Sequence, residues 1–293
     1  MKIAGAPINW GVCEVPGWGH QLTAERVLTE MRDVGLAATE TGPQGFLPGD
    51  PAALTALLQS YDLRCVGSFL PVLLHDPAHD PVPETTAPLD SLIATGAEVL
   101  VLAAATGAEG YDSRPTLDEQ QWATLLANLD RVAAVAAERG ILAVLHPHVG
   151  TMVEQRDEVY RVLDGSAIGL CLDTGHLLIG GTDPLDLVTS HASRITHAHL
   201  KDVDAALAAR VQSGELTYTE AVASGMYTPL GTGDVDIERV VLGLLDAGFD
   251  GWFVLEQDTI LTAEPTDAGP VIDVIASVAY LREVVKARVP STV

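Results

Sequence analysis

Lysine is nearly missing from this chain. Its 293 residues contain Lys2, Lys201 and Lys286, and lysine plus arginine number 16 against 40 acidic residues, a formal charge of −24. A surface this acidic repels phosphate backbones and anionic headgroups, so nucleic acid and membranes are poor partners. Cysteine is scarce as well. Cys13, Cys65 and Cys171 are too few and too scattered for a disulfide framework, and their odd number fits a reducing cytoplasm. No apolar run approaches the ~20 residues of a membrane span. Only Lys2 is positive near the start, where Asn9 and Glu14 are already polar, unlike a secretory leader. The expected location is the cytoplasm.

What the chain has in quantity is hydrophobic surface, 47% of its residues, arranged as short runs that alternate with amphipathic stretches. The runs predict strands at 3–9, 36–40, 63–69, 98–103, 141–146, 168–173, 194–199 and 251–256. Helices are predicted near 21–34, 51–60, 84–95, 116–139, 151–164, 184–191, 236–247 and 270–288. Asp50-Pro51 and Asp183-Pro184 place a capping residue before a first-turn proline. Thr116–Glu119 and Thr151–Glu154 have capping-box spacing, and Gly35, Gly140 and Gly248 close helices. Eight βα alternations with near-continuous apolar strands predict a closed (β/α)8 TIM barrel, an α/β fold forming one domain over 1–293. The competing open doubly wound sheet would carry a glycine-rich phosphate loop after its first strand, and Asn9-Trp10-Gly11 is no such loop. The long connection 203–235 carries Tyr218, Met226, Tyr227 and Leu230 as apolar anchors and is expected to form a lid or wall over the active mouth.

Four of the runs turn polar only at their C-terminal ends: LAVLHPH (142–148), IGLCLDTGH (168–176), ITHAHLKD (195–202) and WFVLEQD (252–258). In a barrel these ends converge on one mouth. A strand-end aspartate alone often caps the next helix, and a lone buried histidine more often bonds a carbonyl. Together Asp173, His199, Glu256 and an imidazole from HPH make a mixed carboxylate–imidazole donor set for a divalent ion. His146, which closes its strand, is the favoured ligand; His148, beyond Pro147, is expected at the substrate. His197 shares a face with His199 but lies one layer deeper.

These residues resemble the xylose isomerase-like TIM barrels, a superfamily of sugar isomerases, epimerases and endonuclease IV. APINW, TETG, FLPG, HPHVGT, LDTGH, HAHLKDV, GMYTPLGTGDVDI and GWFVLEQD match its signature segments in order, over nearly the whole chain. HPHVGT with GMYTPLGTGD points to the inosose dehydratase branch. The resemblance implies metal ligands at Asp173, His199 and Glu256, with His146 standing where epimerases carry a proton-exchanging glutamate. That departure favours elimination over epimerisation. It departs from the dehydratases too, in the proline of HPH and in the loop GVCEVPGWG.

The implied activity is metal-dependent dehydration of a keto-cyclitol such as 2-keto-myo-inositol. The ion is Mn²⁺ or Co²⁺ first, Mg²⁺ or Zn²⁺ next. The partner is a small polyol or keto-sugar, and a homo-oligomer is a further expectation. His176, Lys201 and Glu256 are the expected catalytic groups. Lys201 is given a lowered pKa beside the metal, so that it acts near neutral pH. Asn9, Trp10, Glu40, His148, His176 and Lys201 are the expected substrate contacts, with packing the alternative for Trp10 and an ion pair or helix cap for Glu40. Rival readings are a sugar isomerase or epimerase, a 3-keto-glycoside lyase subunit and a non-catalytic sugar-binding barrel. Endonuclease-type DNA repair conflicts with the charge.

Overall fold

The computed structural model describes residues 1–108 and 110–288, so residues 289–293 of the expected domain lie outside the described residues. Its strands are β1 (Lys2–Gly5), β2 (Ala38–Thr39), β3 (Arg64–Cys65 continuing as Gly67–Val72), β4 (Val99–Ala104), β5 (Leu142–Leu145), β6 (Gly169–Asp173), β7 (Ile195–Leu200) and β8 (Trp252–Leu255). They pair in parallel in chain order, and β1 pairs with β8 as well as β2. The ring closes inside β3. The Val66 N–H donates to the Thr39 carbonyl on one side, and the Val66 carbonyl accepts from Glu98 and Val99 on the other. Gly67 follows because a Cβ there would stand 2.5 Å from the Val99 carbonyl oxygen. The molecule is the α/β TIM barrel that the alternating runs predict.

Local chemistry explains most element starts. Asp50 and Asp183 accept from the N–H groups of Ala53 and Leu185, each just before its proline. Two expected caps move. The helix foreseen from Thr116 begins at Glu119, with Asp118 and Gln121 forming the capping box. The helix foreseen from Thr151 begins at Arg156, boxed by Gln155 and Glu158. Thr151 instead donates to the His148 carbonyl at 2.8 Å, tying down the turn after β5. Gly150 holds that turn: its φ is +76°, and a Cβ would collide with the Tyr111 backbone at 2.4 Å. An additional short helix, Thr174–Ile179, starts directly at Asp173.

Most of the core lies between the barrel and its helices. Small clusters of Ala4, Ala6, Ala38, Val66, Trp252 and Val254, and of Val99, Val101, Val144 and Cys171, are separate from it. The long β7–β8 connection is ordered. An antiparallel ribbon of Asp202–Val203 with Tyr227–Thr228 brackets helices Ala205–Gln212 and Tyr218–Ala223. Among the described residues no helix is long and apolar enough to cross a membrane.

Candidate active site

β6 and β7 pair with Asp173 opposite His199, while His146 and Glu256 directly follow β5 and β8. Single donor atoms of His146, Asp173, His199 and Glu256 lie within 4.8 Å of one another. Asp173 divides its two oxygens. Oδ1 accepts from the N–H groups of Gly175 and His176, capping the short helix, while Oδ2 stands 3.1 Å from His146 Nε2. The capping reading of a strand-end aspartate is thus met by Oδ1, and Oδ2 is left facing the other three donor residues.

Glu40 explains how His199 is oriented. Its Oε1 lies 3.0 Å from His199 Nε2 and 2.8 Å from His197 Nε2, so His199 is left to present Nδ1. That atom is 2.8 Å from Glu256 Oε2 yet makes no aligned hydrogen bond, and it is buried. A carboxylate behind one imidazole nitrogen is the usual support for metal binding by the other. Burial would raise the Glu40 carboxyl, but His199 and His197 outweigh it and hold it at about 2. Burial would likewise lower His199, but Cys171, Glu256 and Glu40 push it well above the usual imidazole range. The surrounding carboxylates call for positive charge at this point. A divalent ion would supply that charge in place of the proton and would use the buried Nδ1, so the donor set fits one.

Lys201 corrects an expectation. Its Nζ lies 2.5 Å from Asp258 Oδ1, 2.9 Å from Glu256 Oε2 and 3.7 Å from Asp173 Oδ2. Burial alone would lower its pKa, but Asp258, Glu256 and Asp173 push it well above the ordinary lysine value. With these carboxylates around it Lys201 is an ammonium, where a lowered pKa was expected beside a metal.

His148 and His176 stack, with ring centroids 3.7 Å apart. His148 Nδ1 lies 2.7 Å from the Val149 carbonyl, which fixes the proton there and leaves the Nε2 lone pair free. Burial, then His146 and Lys201, hold this ring well below the usual imidazole pKa, hence neutral. A cavity of about 360 Å³ is bordered by His146, His148, Lys201, Glu256, Asp258 and Tyr111, among others. His176 is not on this border; it lies behind His148, where the Val149 N–H reaches its Nδ1 at 3.4 Å. The direct catalytic and substrate contact expected of it is not reflected in this placement.

Two expected substrate contacts belong to the fold instead. The strand foreseen over 3–9 stops at Gly5, because Pro7 opens a 3-10 turn, Pro7–Trp10. Asn9 donates both amide hydrogens, to the carbonyls of Ala6 and Leu255, and its oxygen accepts from the Gln257 N–H. Trp10 is fully buried, and its indole N–H donates to Glu30. Sequence reasoning passed over Asp258, Tyr218, Tyr227 and Tyr111 as site groups. Asp258 carried a usable signal, two residues beyond Glu256 in EQD. The tyrosines come from connections whose path no local pattern fixes.

A family model described as a xylose isomerase-like TIM barrel matches residues 28–278. The inosose dehydratase of Geobacillus thermodenitrificans (strain NG80-2) is 31% identical over 294 residues, 97% of this chain and 97% of the relative. A rhizopine catabolism protein of Rhizobium meliloti, MocC, is 33% identical over 279 residues, 92% of this chain and 84% of its own length. Among solved structures, an IolI protein with a bound zinc atom is similar at TM-score 0.74 and 15% identity, covering 99% of this chain and 100% of that one.

Proposed function

This chain belongs to the xylose isomerase-like TIM barrel family, and we propose that within it the chain is a metal-dependent dehydratase of a keto-cyclitol such as 2-keto-myo-inositol. The observation that carries the reading is the pairing, at one mouth, of a neutral imidazole with a fixed ammonium beside the His146–Asp173–His199–Glu256 donor set. Full-length similarity to proteins named inosose dehydratase supports it.

The four donors would hold a divalent ion, Mn²⁺, Co²⁺ or the zinc named for the IolI neighbour. Such an ion polarises a substrate carbonyl and makes the adjacent C–H acidic. His148 Nε2 accepts that α-proton, an assignment that rests on its fixed tautomer and its place on the cavity. Lys201 donates a proton to the β-hydroxyl as its C–O bond breaks, and one water leaves for each C–H and C–O bond lost. Glu256, held well below the carboxylate range against the pull of burial by His199 and Lys201, stays an anion and steadies that ammonium. The segment 203–235 reaches the site through Tyr218, which donates to Asp258, with Tyr227 behind it, within a single barrel domain.

The test is turnover of 2-keto-myo-inositol by protein loaded in turn with Mn²⁺, Co²⁺ and Zn²⁺, followed in D₂O. Formation of a dehydrated dione supports the reading. Deuterium incorporation into an undehydrated epimer would replace it with an epimerase, the outcome that a fifth strand ending in His146 rather than a carboxylate disfavours.

A further inference from the structure

Asp258 lies beyond the four strand-end donors, in the chain that follows β8, yet its two oxygens are fully committed. Oδ1 is 2.5 Å from Lys201 Nζ, and Oδ2 accepts from the Tyr218 hydroxyl, also at 2.5 Å. Because Tyr218 gives its proton to Asp258, the Tyr227 hydroxyl 2.9 Å away must be the donor of the next bond. The result is a one-directional chain, Tyr227 to Tyr218 to Asp258, that ends on the carboxylate facing Lys201. Tyr218 and Tyr227 are both buried, at 1% and 4% exposure, and both come from the long β7–β8 connection.

The lysine is confined along its length as well as at its tip. Gly175 sits where a Cβ would come 2.8 Å from Lys201 Cβ and 2.8 Å from Tyr227 Cε1. The ammonium stands 5.3 Å from the centre of the Tyr227 ring. The Lys201 backbone is clamped by Thr174, whose hydroxyl lies 2.8 Å from the Lys201 N–H and 2.6 Å from its carbonyl. A flexible four-carbon stem rarely holds a point charge in one place unaided. Here two neighbours, a backbone clamp and a carboxylate fixed from behind do so.

We propose that Asp258 and Tyr218 are positioning residues that act through Lys201: Tyr218 orients Asp258, and Asp258 sets the ammonium against the reacting hydroxyl. The connection 203–235 thereby reaches the chemistry through one carboxylate. The inference rests on Lys201 serving as the acid in the proposed dehydration.

The scarcity of lysine supplies a direct probe. With Lys2 and Lys286 exposed, a protein labelled with ¹⁵N at lysine Nζ should give one slowly exchanging ammonium signal, from buried Lys201, absent in Lys201→Ala. Tyr218→Phe keeps the ring and touches no atom of Lys201, so in metal-loaded protein it should move that signal and speed its exchange. An unmoved signal overturns the proposal. In turnover, Asp258→Asn should lower kcat by about 10²-fold, the scale of general acid help, with KM changed less than about 3-fold. Combined with Lys201→Ala it should add less than about 3-fold further loss, because residues acting as one unit are not additive. Multiplicative losses would overturn the proposal, as would a Tyr218→Phe enzyme with full kcat. The signal is read without substrate, so a wild-type protein that shows it but dehydrates no keto-cyclitol refutes the reaction alone.

Discussion

The imidazole of His176 lies against that of His148, the ring centroids 3.7 Å apart and the planes tilted by 33°. This contact sets the plane of the His148 ring, the proposed base, while the Val149 carbonyl sets its tautomer. His148→Ala should retain bound metal and lose about 10²–10⁴-fold in kcat, the range of general base catalysis. His176→Phe preserves a flat ring beneath His148 and should cost no more than about 10-fold. Metal analysis beside steady-state kinetics checks both. Metal loss in His148→Ala would make it a ligand.

Asp173 caps a helix with one oxygen and, in the proposed site, holds metal with the other, and the two tasks separate by substitution. Asp173→Asn keeps a cap for Gly175 and His176 but removes the anion facing His146. It should hold its melting temperature closely while losing metal and turnover. Asp173→Ala should lose the metal and also about 1 kcal/mol of stability with the cap. Thermal melts with atomic absorption distinguish them; full metal content in either variant would remove Asp173 from the donor set.

The barrel was legible because buried parallel strands are written as unbroken apolar runs, and because the same runs turn polar at one end only. The convergence of Asp173, His199, Glu256 and His146 at one mouth was legible for that reason. The errors came where a local pattern had two outcomes. Pro7 ended β1 early and turned Asn9 and Trp10 into the fold, a signal present in APINW but outweighed by the apolar run around it. The setting of Lys201 was not legible because its nearest carboxylate, Asp258, is 57 residues away, and no spacing rule reveals that pair. Tyr218 and Tyr227 read as apolar anchors until the return path of 203–235 brought their hydroxyls together.

Asn9 ties the end of the first strand to the end of the last. Its amide satisfies the Ala6 and Leu255 carbonyls, and its oxygen takes the Gln257 N–H next to Glu256. Asn9→Ala should cost about 1–3 kcal/mol, because the Gln257 N–H loses its acceptor while the Ala6 and Leu255 carbonyls keep only their backbone donors. Its effect on kcat should exceed its effect on KM, because it disturbs the position of Glu256 and makes no bond to substrate. Denaturant unfolding and kinetics read the two effects, and a rise in KM alone would restore Asn9 as a substrate contact.

Glu40 makes stability depend on acid. Its carboxyl falls from 4.5 to about 2 in the folded protein, where His199 and His197 overcome the opposing effect of burial. A group whose folded pKa is depressed stabilises the fold above its unfolded pKa, and that contribution fades as pH falls toward the folded value. The unfolded chain takes up the proton first, so the loss begins near pH 4.5 and is complete near pH 2. In metal-free protein, Glu40→Gln should be less stable at pH 7 and should flatten this part of the profile. At pH 2 the gap from wild type should have narrowed. Metal affinity should fall as well, since His199 loses the carboxylate behind Nε2. Melting temperatures from pH 7 to 2 on both proteins provide the measurement, and parallel profiles separated by a constant interval would show that Glu40 is not held as an anion by its two histidines.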